Sequence, residues 1–184
     1  MCIKDKLSKL IALQTKEIAH TNNSLFEHLN GTYDLLKTWG ASSTLCDAGL
    51  FHAVYGTDGF NKSLITDQYR DSIRKVIGSE SEEIVYLYCS CDRDFFWPKI
   101  GTDNRLLNRF TKRIIYLTDK EMRDFCELTV ANEIEISIHS DDFIKEYGKS
   151  LLSLFLKMKP YISEMAYDAV LEFEIKYNHL SKSF

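Results

Sequence analysis

Proline is almost absent from this 184-residue chain, at two residues, and glycine is sparse at eight. Folds with many strands need such turn residues at short intervals, so their scarcity argues against a sandwich or barrel and for helices. No apolar run approaches the roughly 18 residues that a membrane-spanning helix requires. The opening Met1-Cys2-Ile3-Lys4-Asp5-Lys6 lacks both the apolar core of a secretory signal and the Met-Gly start of an acylated protein. An excess of positive charge is missing too: the formal net charge is −4, which gives no general reason to expect a nucleic acid or an anionic membrane as partner. The five cysteines are odd in number, and only Cys89 and Cys91 are close together, as Cys-Ser-Cys rather than Cys-x-x-Cys. Reduced thiols in a cytoplasmic protein are the expectation, with Cys89, Cys91 and Cys126 as packing residues because no base or cation adjoins them.

What is present is a 45% hydrophobic, 27% charged composition, enough for one continuous core. The chain is expected to be a single all-α domain over residues 1–184, a bundle of about seven to eight helices. Apolar periodicity predicts helices from about Lys4 to Ala19, from the capping box Ser24-Leu25-Phe26-Glu27 to Trp39-Gly40, and from Ser43 through His52 to the break at Gly56. Further helices are predicted over Thr66–Ile77 and from Ser79 to Cys91. The run Ile84–Cys91 is β-rich by propensity, but it is read as a buried central helix because no partner strand is evident. A loop around Phe95–Pro98, either a lid or a core cover, is followed by a short helix over Asn104–Leu117. The capping box Thr118-Asp119-Lys120-Glu121 opens a helix carrying Asn132 and Glu133 inward, and two more cover Asp142–Lys159 and Ser163–Tyr177.

Two histidines fall on inward faces: His28 beside Leu25 and Leu29, and His52 after Leu45, Ala48 and Gly49. Each alone reads as a hydrogen-bonded core histidine, since buried polar groups are normally paired. Together, on consecutive helices, they are candidate metal ligands. His139 and His179 stand among charged residues and are expected at the surface.

The setting of the pair, with Ala48-Gly49-Leu50-Phe51-His52-Ala53-Val54-Tyr55-Gly56, resembles the HD-domain superfamily. There a histidine on one helix and a His-Asp pair ending the next bind divalent metal. His28-Leu29-Asn30-Gly31-Thr32-Tyr33, Trp39-Gly40 and Cys89-Ser90-Cys91-Asp92-Arg93 are similar to a branch of that superfamily, a likeness spanning Ser24 to Asn132. Ala53 stands where the superfamily has aspartate, which argues against a two-metal centre. The usual later ligand corresponds to Asn132 or Glu133. The resemblance implies a mononuclear Zn, Fe or Mn site at His28, His52 and one of these two.

Tyr55, three residues after His52, is expected on the same helix side with its hydroxyl near the ion, as a catalytic group beside His52. Tyr33, Thr57, Asp92 and Arg93 are candidate substrate-binding residues, although Asp92-Arg93 also reads as an ion pair closing a helix. The implied activity is hydrolysis of a small molecule, phosphorylated or not. A non-catalytic module binding a small ligand or a protein, supported by Ala53, is the alternative, and an iron-dependent oxygenase is a third reading.

Overall fold

Serine, threonine and aspartate in front of apolar-periodic segments supply acceptors for the orphaned amides of a first helical turn, and they mark where this chain becomes helical. A computed structural model describes residues 5, 6, 8, 22–59 and 63–182. The expected helix over Lys4–Ala19 lies almost wholly outside the described residues, as do the side chain of Ser24 and its capping box. Among the described residues the chain is 73% helix and 6% strand, so the all-α class holds.

The helices are α1 (Asn22–Thr38), α2 (Ser43–Phe51), α3 (Arg70–Ile77), α4 (Ser79–Ser90), α5 (Arg93–Phe96), α6 (Asp119–His139), α7 (Asp141–Met158) and α8 (Glu164–Ser181). Side-chain oxygens of Ser42, Asp92, Ser140 and Ser163 accept the amides of Leu45, Phe95, Phe143 and Ala166. Thr118 and Glu121 form the full reciprocal capping box expected from sequence. Gly78, at φ 86, takes a backbone conformation that ends α3 and lets α4 start at once. No helix among the described residues is long and apolar enough to cross a membrane.

Ile84 to Ser90 is helical, so the strand alternative falls. The central helix, however, is α6, which packs against α1, α2, α4, α7 and α8 and is buried without a break from Phe125 to Glu135. Its buried polar residues, Glu127, Asn132, Glu133 and Glu135, each have a partner, as burial of such groups demands. Glu127 shows how: its two carboxylate oxygens accept the Ser163 amide at 2.8 Å and hydroxyl at 2.6 Å, fixing the start of α8.

The expected helix over Asn104–Leu117 is instead a two-stranded hairpin, β1 (Arg105–Leu107) against β2 (Ile114–Tyr116). The Asn108 side chain accepts the amides of Phe110 and Thr111, closing a local turn that competes with helix, and Ile114-Ile115 favours strand. Arg109 ties the hairpin to the carbonyls of Cys89 (2.8 Å) and Gly56 (3.0 Å). The segment around Phe95–Pro98 is not a loop but α5 followed by a 3-10 turn, Trp97–Lys99.

Phe155 on α7 is fully buried with its ring edge-on to Phe173 of α8 at 5.6 Å. Phe155→Ala should therefore lower unfolding stability by about 3–5 kcal/mol. Urea denaturation checks this, with the midpoint falling at unchanged slope.

Candidate functional site

α1 carries His28 on the stripe of Leu25, Leu29 and Thr32, and α2 delivers His52 as its C-terminal capping residue, only 1% exposed. The two rings meet edge to face with centroids 5.0 Å apart and Nε2 atoms 3.2 Å apart. α6 supplies the third group: Asn132 Oδ1 lies 3.0 Å from His28 Nε2.

The far side of each group is fixed. His52 Nδ1 donates to the Gly49 carbonyl at 2.7 Å, and His28 Nδ1 pairs with the Glu135 carboxylate. Asn132 Nδ2 donates to Glu133 Oε1 at 2.9 Å, which turns the amide oxygen toward the imidazoles. Gly31 makes room for Glu135, since a Cβ there would fall 2.7 Å from its Oε1. That same Oε1 meets His139 Nε2, on the exposed end of α6, at 3.2 Å, while Oε2 is the oxygen paired with His28.

These contacts leave a proton count that does not close by itself. A neutral imidazole has one donor and one acceptor nitrogen. With Nδ1 donating in both rings, both Nε2 atoms are acceptors, and so is Asn132 Oδ1. Three lone pairs thus converge, and the cluster requires one cation between them, either an extra proton on an Nε2 or a metal ion. Burial, reinforced by the neighbouring His28, pulls His52 down to about 3, so His52 is neutral at physiological pH.

Of the other expected residues, Tyr55 is buried, but its hydroxyl donates to Glu82 Oε1 at 2.9 Å, within a cluster completed by Arg70 and Arg74. The expectation of a hydroxyl beside the ion fails because α2 stops at Phe51, so helical spacing no longer relates residues 52 and 55. Glu133, offered as a ligand, is occupied by Asn132 and by Arg93 Nη1 at 3.2 Å, and burial pushes its carboxyl up. Asp92 and Arg93 do not pair with each other to close a helix. Asp92 caps α5, while Arg93 reaches Glu133, Tyr88 and, through its amide, Asp58. Tyr33 stands near Cys46, Asp47 and Asp34, and Thr57 is buried on the loop after Gly56.

Two contributors, Glu135 and Tyr88, escaped the sequence reading. Glu135 lies three residues beyond Asn132, hence on the same helical stripe, and that spacing was the available signal. Tyr88 packs edge-on to His52 at 5.8 Å, and the Arg93 guanidinium stacks 4.6 Å over Trp97. Among the described residues no group of three or more His, Cys, Asp or Glu side chains is arranged to hold a metal ion; the third donor here is an amide.

Residues 9–93 match a family model described as a domain of unknown function (DUF6817). That stretch contains both histidines and Arg93, and it ends before the α6 residues that complete the cluster. No curated protein and no solved structure matches the chain.

A histidine held below its ordinary value of 6.5 leaves the unfolded chain to bind the proton that the folded one refuses. Its contribution to stability is complete above pH 6.5 and drains away as pH falls toward 3. In metal-free protein, unfolding free energy should fall between pH 6 and 4 more steeply for wild type than for His52→Gln, by up to about 1.4 kcal/mol per pH unit. Parallel slopes would mean that His52 is not a buried neutral base.

Proposed function

We propose that this protein is a mononuclear metal-dependent hydrolase of HD type, acting on a small molecule, phosphorylated or not, with a divalent ion at His28, His52 and Asn132. The observation that carries the reading is the convergence of three acceptor atoms, each locked by a hydrogen bond on its far side, which is how proteins orient metal ligands. Their spacings of 3.0 and 3.2 Å suit a shared ion, since donors at about 2.0–2.1 Å from one metal lie roughly 3 Å from each other. Zinc, ferrous iron or manganese would each accept this donor set, and the ion would supply Lewis acidity toward a water or a substrate oxygen.

The chain's own groups have separable tasks. His28 and His52 offer neutral nitrogen, Glu135 and the Gly49 carbonyl hold their tautomers, and Glu133 holds the Asn132 amide. Ala53 is a buried core residue, so no carboxylate from that position joins the donors, which supports one ion rather than two. A cytoplasmic setting belongs to the same reading, supported by free Cys46, Cys89, Cys91 and Cys126.

The second reading, a non-catalytic module for a small ligand or protein, is favoured by the weak amide in place of an anionic ligand. The oxygenase reading needs two histidines with a carboxylate, and the engagement of Glu133 by Arg93 and Asn132 counts against it.

Thermal unfolding with added zinc, manganese or ferrous iron separates these. A ligand at 100 times its Kd stabilises by about 2.7 kcal/mol, so wild type should gain several degrees in Tm while His52→Ala gains none. A wild type that responds to none of the three, in a metal-free preparation, would favour the binding module.

A further inference from the structure

We infer that Arg93 and Trp97 form a phosphoryl-binding subsite beside the histidine pair, so that the small molecule bound here is a phosphate ester. The inference deepens the functional reading and rests on it for its meaning, but its chemistry can be tested with the metal site disabled.

The first observation is an orphaned donor. Trp97 Nε1 is buried and has no hydrogen-bond partner among the described residues. A buried N–H without an acceptor is rare and costly, and a ligand oxygen is one of the few things that relieves it. The second, independent observation is the cation next to it. The Arg93 guanidinium lies 4.6 Å from the centre of the same indole, and among the described residues its hydrogen bonds are long: 3.2 Å to Glu133 Oε1 and 3.4 Å to the Tyr88 hydroxyl. A charge-assisted N–H···O bond is ordinarily about 2.7–2.9 Å, and an arginine fork ordinarily engages a carboxylate through two prongs. Here Glu133 offers Arg93 a single oxygen, already shared with Asn132 Nδ2. The guanidinium is therefore positioned but not saturated, and an incoming oxyanion can take its prongs while Glu133 retains Asn132.

Placement links this pair to the imidazoles. The Tyr88 ring lies 5.8 Å from the His52 ring and 5.7 Å from the Arg93 guanidinium, and Arg93 Nη1 shares Glu133 Oε1 with the Asn132 amide, which puts Arg93 next to the donor cluster. The loop after Gly56 closes on Arg93: the Asp58 carboxylate accepts its amide, and a Cβ at Gly59 would fall 2.9 Å from Nη1. Side chains at residue 59 other than hydrogen would crowd the guanidinium. Arginine supplies donors in a fixed fork and the indole adds one in its ring plane, a set that suits the several oxygens of a tetrahedral phosphoryl group better than the two of a carboxylate.

The probe is inorganic phosphate, with acetate at matched ionic strength as the comparison, and the readout is Tm in metal-free protein. Wild type and His52→Ala should both be stabilised by phosphate and not by acetate. Trp97→Phe keeps the ring and removes the orphaned N–H; it should fold with unchanged or higher Tm and bind phosphate about tenfold more weakly. Arg93→Lys should bind at least tenfold more weakly as well. A wild type indifferent to phosphate overturns the subsite, and so does Trp97→Phe binding phosphate as tightly as wild type. A stronger response to acetate than to phosphate overturns the phosphoryl assignment. A phosphate response without any metal response leaves the subsite standing and removes the hydrolase; a metal response without a phosphate response does the reverse.

Discussion

The structure turns on one electrostatic constraint: three lone pairs, on His28 Nε2, His52 Nε2 and Asn132 Oδ1, point at one another with no proton assigned between them. Each is forced into that role from behind, by Glu135, by the Gly49 carbonyl and by Glu133 through the amide nitrogen. A cation at the centre is what makes the arrangement stable, and everything said of the site's chemistry follows from whether that cation is a proton or a metal.

The fold is organised to hold this cluster rigidly. α6 runs through the middle of the bundle and carries Asn132, Glu133 and Glu135 on one stretch, so the acceptors and their supports move as a body. α1 and α2 approach closely enough for a Cβ at Gly49 to fall 2.5 Å from Leu36, and that close contact sets the distance between the imidazoles. Cys89 on α4 donates to the His52 carbonyl at 3.0 Å, and Arg109 grips the carbonyls of Cys89 and Gly56. The hairpin therefore braces the segment that bears His52 instead of lying loose on the surface. A site on helices supported in this way keeps its geometry better than one on loops.

Much of this was legible in the sequence, for identifiable reasons. The capping box at Thr118 and the apolar stripes of α1 and α7 mark helices directly, and His28 and His52 declared themselves by sitting on such stripes. The hairpin did not, because strands of three residues are too short for alternation to show and its turn depends on Asn108 side-chain bonds. Tyr55 was misplaced because the helical period was carried four residues past the end of α2 at Phe51. The choice between Asn132 and Glu133 stayed open in the sequence, and the decision lay in a rotation about α6: Asn132 and Glu135 share the stripe facing α1, while Glu133 is turned toward Arg93. A helix buried on nearly every side shows no polar face, so its sequence alone does not say which of its acids looks at the histidines.

The central claim is one of tautomers, and nitrogen-15 NMR of the imidazole rings reads tautomers directly. With zinc added, His28 and His52 should both show protonated Nδ1 and unprotonated Nε2, with the Nε2 resonances of these two rings moving on titration while those of His139 and His179 stay in place. A protonated Nε2 on either ring in the zinc-loaded protein, or Nε2 resonances that ignore the metal, would contradict the account.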